Sequence, residues 1–279
     1  MRLGGHIHEE YSDPAGWAAA VRKLGYSAAY CPVGDDASDD DIRAYKEAAA
    51  GADIVISEVG AWGNNPVSAD DGTRRRSIEN SQAKLRLADA IGACCCVNVS
   101  GSRGGNWAGP HEEDLTDATF ALIVDGVREI IDGVQPKNTY FTLEAMQWSY
   151  PDSPESYARL IDAIGRERFA VHLDPTNLVC SPQRYYHNTE LIRECFRLLG
   201  PRIKSCHAKD VLMDDKALVH LSEVLPGTGR LDYQAYLEGL AALDEDTPLM
   251  LEHLSTAEEY ERASEHIRGV AREMGLEFK

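Results

Sequence analysis

Short apolar runs alternate with amphipathic segments along the whole of this 279-residue chain, and they do so eight times. Runs suited to strands occupy residues 3–8, 27–32, 53–59, 93–99, 139–144, 169–174, 203–207 and 248–252. Brief apolar stretches bounded by turn residues read as buried strands, whereas apolar residues three and four apart read as helices. The intervening helices are well punctuated. "SDPAGWAAAVRKLG" offers Asp13 as N-cap, Pro14 at the first helical position and Gly25 just past the end. "DSPESYARLIDAIG" repeats the scheme with Ser153, Pro154 and Gly165. A last helix around 256–274 carries Ala257, Tyr260, Ala263, Ile267, Val270 and Met274 as a core-facing stripe.

Alternating strands and helices with short connections require a parallel sheet, and eight such units require closure. The expected fold is therefore a single-domain (β/α)8 TIM barrel spanning residues 1–279. An open doubly wound sheet is the rival, but the first strand–helix turn lacks the glycine-rich dinucleotide fingerprint. "PGTGRLD" at 226–232 contains G-x-G without a clear preceding strand, and it reads as a loop rather than a phosphate cradle.

Composition narrows the partners. With 28 basic residues against 46 acidic ones, the net charge is −18, which repels nucleic acid and anionic membranes. No stretch reaches the roughly 20 apolar residues of a membrane span, and "MRLGGHIHEE" has no apolar signal segment. Of seven cysteines, three are consecutive at 94–96 inside an apolar run and read as small core side chains rather than a bridge framework, which fits a reduced, cytoplasmic compartment.

Polar residues at the strand ends then carry the functional argument. His8, Glu58, Asn98, Glu144, Asp174, His207 and Glu252 fall at or near successive strand C-termini. In a barrel these ends share the face on which active sites are built. Buried carboxylates so close together stay ionised only if a cation neutralises them. Glu144, Asp174, His207 and Glu252 belong to four consecutive strands and could surround one ion. Three carboxylates and one imidazole form a hard donor set that suits Mn²⁺, with Mg²⁺ or Co²⁺ as alternatives.

Other residues near this mouth are candidates for holding substrate. The i, i+2 spacing of His6 and His8 places both on one strand face, with His8 reaching substrate and His6 buried. Glu58 could hold a sugar hydroxyl or pair with Lys209, and Trp62 and Trp107 could wall a sugar pocket. The long loop "SGSRGGNWAGPHEED" (100–114) has the character of a lid and contributes Arg103 and His111. Lys209 and Asp210 follow His207 closely enough to orient substrate or ligands.

Taken with "FTLEAM", "VHLDPTN", "IKSCHAKD", "LMLEHL" and "PGTGRLDY", the chain resembles the xylose isomerase-like superfamily, in its sugar isomerase and epimerase branch. The resemblance covers nearly the whole chain. It implies that Glu144, Asp174, His207 and Glu252 bind one divalent metal, usually Mn²⁺, and that Glu144 and Glu252 are also acid and base. The chain departs from the epimerase pattern where a substrate-binding histidine is replaced by Asn177, and where an arginine after the metal histidine gives way to Lys209.

A hard cation polarises an α-hydroxyketone and stabilises the enediolate left by proton loss. Two glutamates could then epimerise or isomerise a ketose or keto-polyol. If a leaving group lies β to the carbonyl, the same enolate eliminates, giving a dehydratase or lyase for a keto-sugar, inosose or keto-glycoside, with His8, His111 or Lys209 as acid. The superfamily's DNA-cleaving endonuclease branch is opposed by the charge, and an inactive sugar-binding barrel would bind without proton exchange. The expected partner is a small sugar, without phosphate; barrels of this kind often pair, so a homodimer or homotetramer is allowed.

Overall fold

The structure, a computed structural model, describes residues 1–279. Its main sheet contains β1 (Arg2–Gly4), β2 (Ala28–Ala29), β3 (Val55–Ile56), β4 (Glu58–Gly60), β5 (Cys95–Asn98), β6 (Tyr140–Glu144), β7 (Phe169–Leu173), β8 (Ile203–Ala208) and β11 (Pro248–Leu251), all paired in parallel. The strand order β3-β2-β1-β11-β8-β7-β6-β5-β4 begins and ends on the two halves of one stave. Ser57 joins them: its N–H donates to Ala29 O, and its carbonyl accepts from Cys95 N. The ladder thus runs into a ring of eight staves, the TIM barrel expected from the sequence.

Around it lie α1 (Pro14–Lys23), α2 (Asp39–Gly51), α3 (Asp71–Ile91), α4 (Asp117–Val134), α5 (Pro154–Ile164), α7 (Asn188–Leu199), α8 (Tyr233–Ala241) and α9 (Ala257–Glu273), with a short α6 (Pro182–Tyr186) before α7. The helix punctuation acts as its chemistry dictates. Asp13 and Ser153 accept the amides of Gly16 and Ser156 at their helix starts, and Gly165 takes a left-handed conformation at the end of α5. On α9, Tyr260, Ala263 and Ile267 are buried, Val270 and Met274 pack against the core, and Ala257 is exposed. No helix is long and apolar enough to cross a membrane. All seven cysteines are free thiols, and Cys95 and Cys96 lie wholly buried in the sheet.

The first strand is shorter than its apolar run suggests. Gly4 is the last residue of β1, so His6 and His8 lie beyond the sheet and both are exposed. The two-residue alternation inferred for them fails because the ladder stops before it reaches them. A hairpin absent from the sequence reading, β9 (Asp210–Met213) with β10 (Leu221–Val224), follows β8 directly and leads into the 226–232 loop. That loop holds no phosphate cradle: the amides of Gly227, Gly229 and Leu231 all donate to the Asp210 carboxylate.

Two local features position the functional end of the barrel. Lys204 is an extra residue in β8, so that Val171 faces Ile203 but His172 faces Ser205. Such a bulge changes which side chains point inward. Tyr157, from α5, serves the backbone beside this irregularity. Its hydroxyl lies 2.5 Å from Leu143 O and 3.0 Å from Ala170 O, either of which can take its proton, and it accepts from the amides of Leu143 and His172.

The closest approach of a glycine to neighbouring backbone is at Gly4. A Cβ there would lie 2.3 Å from the carbonyl oxygen of Ala28, which is backbone and cannot rotate away. Gly4→Ala is therefore expected to destabilise the barrel by about 1–3 kcal/mol, the usual range for overpacking. Denaturant unfolding checks it, and an unchanged midpoint would contradict the packing described.

Candidate metal centre

Four side chains meet at the C-terminal end of the barrel. Glu144 is the last residue of β6, Asp174 follows β7, His207 lies near the end of β8 and Glu252 follows β11. One donor atom from each lies within 4.8 Å of the others, and three of the four residues are fully buried. His207 Nδ1 is 2.9 Å from Glu252 Oε2, 3.2 Å from Glu144 Oε1 and 3.8 Å from Asp174 Oδ2.

Tyrosines from outside the sheet hold the backbone that presents these groups. The Tyr236 hydroxyl, from α8, lies 2.8 Å from His207 O and 3.3 Å from Leu173 O, while Tyr233 donates to Lys209 O. Tyr30 donates to Leu251 O, the residue before Glu252. Each hydroxyl satisfies a carbonyl at or near a residue of the cluster.

The charges are arranged to survive burial. Desolvation opposes ionisation of Asp174, but Lys209 and His207 outweigh it and hold the acid far below its usual range. Against the same penalty, His207 and Lys209 bring Glu252 down to about 2. Burial likewise opposes a proton on His207, yet Glu252, Glu58 and Glu144 raise its affinity well above the ordinary value. Burial works against Lys209 as well, and Asp174, Glu144 and Glu252 reverse it.

Lys209 occupies the middle of the cluster. Its Nζ is 2.7 Å from Glu252 Oε2, 2.9 Å from Asp174 Oδ2 and 3.4 Å from Glu144 Oε1. Even so, Asp174 Oδ2 and Glu252 Oε2 are buried without a well-directed hydrogen bond. The ammonium supplies charge but does not fill the coordination of these oxygens. Two under-coordinated carboxylate oxygens, a third carboxylate and an imidazole nitrogen, spaced as donors around a small ion bonded at about 2.1 Å would be, fit a hard divalent cation.

The other candidates separate clearly. Asn177 joins the cluster, donating through Nδ2 to Glu144 Oε1 at 2.8 Å. Glu58 does not pair with Lys209: its oxygens face His172, Ser205 and His207, on the inner side of the cluster. Asn98 is buried, with Nδ2 on Asn64 O. Trp62 borders a cavity of about 380 Å³ that also touches Glu252, Tyr30 and His6. His8 instead faces a hollow of about 500 Å³ beside α1 and α9, with Lys23, Glu258 and Arg268. It is thus His6, not His8, that borders the cavity beside Glu252.

Within the 100–114 loop, Arg103 is directed to Val67 O and Glu113, and the His111 amide donates to Asp114. Asp114 is fully buried and also accepts from Ser102 and the Arg103 amide, so the loop is clasped by its own carboxylate. Trp107 is half-buried in the same loop.

Sequence reasoning passed over His172, Ser205, Tyr30 and Tyr236. The signal for the first two was present: His172 and Ser205 lie two residues before Asp174 and His207, so strand alternation puts them on the same inward face, one layer down.

The sequence matches the family described as xylose isomerase-like TIM barrel over residues 18–270. The chain belongs to that family. Among solved structures, the D-psicose 3-epimerase of Clostridium cellulolyticum H10 is similar at 14% identity and a TM-score of 0.69, covering 99% of this chain and 100% of that one. Endonuclease IV from Thermus thermophilus gives 15% identity and a TM-score of 0.71, covering 98% and 100%. The probable 3-DHS dehydratase involved in petrobactin synthesis from Bacillus anthracis gives 14% and 0.71, covering 96% and 98%. Identities this low establish a common fold and no more. No curated protein matches the chain in sequence.

A divalent cation held at this cluster would compete with Lys209 for the same three carboxylates. Charges a few ångströms apart near a protein interior interact by several kcal/mol, so Lys209→Met is expected to tighten Mn²⁺ binding by about tenfold or more. Titration calorimetry of the two proteins tests this; weaker or equal binding by the variant would contradict the competition.

Proposed function

We propose that the chain is a divalent-metal-dependent isomerase or epimerase acting on a ketose or keto-polyol through an enediolate. Glu144, Asp174, His207 and Glu252 would hold the metal, with Mn²⁺ as the favoured ion and Mg²⁺ or Co²⁺ as alternatives. The observation that carries this reading is the placement of two glutamates beside one imidazole nitrogen, 3.2 Å and 2.9 Å away. Bound there, the cation would polarise a substrate carbonyl and offset the negative charge that develops as a neighbouring proton leaves.

The protein groups divide the remaining work. One glutamate takes the proton from carbon and the other returns one, either to the opposite face, which epimerises, or to the neighbouring carbon, which isomerises. Asn177 fixes the Glu144 carboxylate through its 2.8 Å hydrogen bond, and so orients one member of the pair. Lys209 lies 3.4 Å from Glu144 and 2.7 Å from Glu252 and, displaced from the carboxylates, would bind substrate oxygens. Trp62 would wall the sugar, since it borders the cavity that touches Glu252. Asn98, Trp107, Arg103 and His111 are proposed only as outer contacts, the last two through the clasped loop. The net charge of −18 disfavours a DNA substrate of the kind endonuclease chemistry requires.

A second reading is supported by Lys209. An ammonium 2.7 Å from Glu252 is placed to protonate a leaving oxygen, and a substrate with such a group β to its carbonyl would then undergo elimination. The protein would be a dehydratase or lyase for a keto-sugar, inosose or keto-glycoside.

Solvent-deuterium exchange against ketoses, inososes and keto-glycosides separates these outcomes: incorporation without loss of water or aglycone marks epimerisation or isomerisation, and release marks elimination. Glu144→Gln and Glu252→Gln are each expected to slow exchange by at least about 100-fold with the fold retained by circular dichroism. Metal content measured on both variants separates lost acid–base function from lost ion. Exchange persisting at the wild-type rate in both would refute the two-glutamate assignment.

A further inference from the structure

We propose that Glu58 is a positioning residue for the cation site: by holding Nε2 of His207, it keeps that imidazole turned with Nδ1 towards the three carboxylates. The inference rests on reading the cluster as a metal site and adds to it a residue from the opposite side of the barrel interior.

Glu58 opens β4, whereas the groups it meets come from β7 and β8. It is 2% exposed. Oε2 accepts from His172 Nε2 at 2.9 Å and from Ser205 Oγ at 3.0 Å, and Oε1 lies 3.3 Å from His207 Nε2. A carboxylate only accepts, so the ring hydrogens facing it sit on Nε2 of both histidines. A neutral His207 then has only the lone pair of Nδ1 to offer, and that atom faces Glu144 and Glu252. The His172 ring packs edge-on against His207 with centroids 4.1 Å apart, which blocks rotation of the imidazole. Partners of this kind set the tautomer and direction of metal-binding histidines. Ser205 and His172 in turn hold the carboxylate, so a three-strand network inside the barrel stands behind one ligand.

Glu58, His172 and His207 also have donor atoms within 4.8 Å of one another and could be taken as a second ion site. Direction rather than distance argues for the network: Glu58 Oε2 receives well-directed hydrogen bonds from His172 and Ser205, whereas Glu252 Oε2, equally near His207, receives none. Metal stoichiometry decides this: one ion per chain supports the network, and two overturn it.

Binding of Mn²⁺ and Co²⁺ to the purified full chain is the test. Glu58→Gln keeps the shape and removes the charge; it is expected to weaken both metals by about 10- to 100-fold and to shift the visible absorption of bound Co²⁺. Far-UV circular dichroism of the metal-free protein should be unchanged. In a His207→Asn background the same substitution should alter affinity by less than about threefold, because the nitrogen through which Glu58 acts is gone. Equal losses in both backgrounds, or none in either, would overturn the proposal. If Glu58→Gln does not fold, Ser205→Ala loosens the same carboxylate and should cost about threefold in affinity, with no change counting against the inference. A wild-type protein that binds neither ion would sink the metal-site reading itself, which is a distinguishable failure.

Discussion

Crowded negative charge at one end of a closed sheet is the constraint on which this structure turns. Glu144, Asp174 and Glu252 are brought together by strands that the barrel has no freedom to separate. Left alone, carboxylates this deeply buried would each cost several kcal/mol or take up protons. They remain ionised because His207 and Lys209 stand among them, each raised in proton affinity by the same carboxylates it neutralises. The balance is electrostatic rather than structural, since two of the oxygens lack directed hydrogen bonds despite the nearby ammonium. A site with compensated charge and unfilled coordination is well suited to exchanging a lysine for a metal ion.

Such a cluster is useful only if its geometry is stiff, and the stiffness comes from outside the barrel. Tyr157 from α5 and Tyr236 from α8 reach the backbone where the parallel ladder is disturbed or ends. The extra residue at Lys204 brings Ser205 opposite His172, which places polar side chains of adjacent staves at one level. The helices therefore do more than cover the sheet: Tyr236 donates to His207 O and lies near Leu173 O, and Tyr233 donates to Lys209 O, at or beside the residues of the acidic cluster.

The barrel was legible from period alone, because eight apolar runs with capped helices between them leave a parallel ring as the economical solution. The four clustered residues were legible because each interrupts an apolar run at its C-terminal end, as "VHLDPTN" does at Asp174. Tertiary detail set the limit beyond that. His6 and His8 looked like alternating strand residues, but the ladder ends at Gly4, against the carbonyl of Ala28, and local spacing contains no trace of that close approach. Glu58 lines the cavity beside Glu252 and Trp62, but its carboxylate also reaches across the barrel to His172 and His207, a contact that no local pattern signals. Tyr157 and Tyr236 sit 13 and 29 residues along the chain from the carbonyls of Ala170 and His207 that they hold, distances at which no local pattern signals the contact.

The same structure bears on the kind of sugar that the proposed function would require. A glycine-rich turn near a strand end invites a phosphate when its amides are free. In the 226–232 loop they are directed at Asp210, whose carboxylate accepts from Gly227, Gly229 and Leu231 as well as from its neighbour Val211. An anion would have to displace a buried carboxylate from those four donors, and it would approach a chain carrying a net charge of −18. Asp210 thus occupies the amides that a glycine-rich loop would otherwise offer to a phosphate. On the function proposed above, the occupied glycine-rich loop favours a neutral polyhydroxy ketone over a phosphorylated one, with Trp62 bordering the cavity beside Glu252.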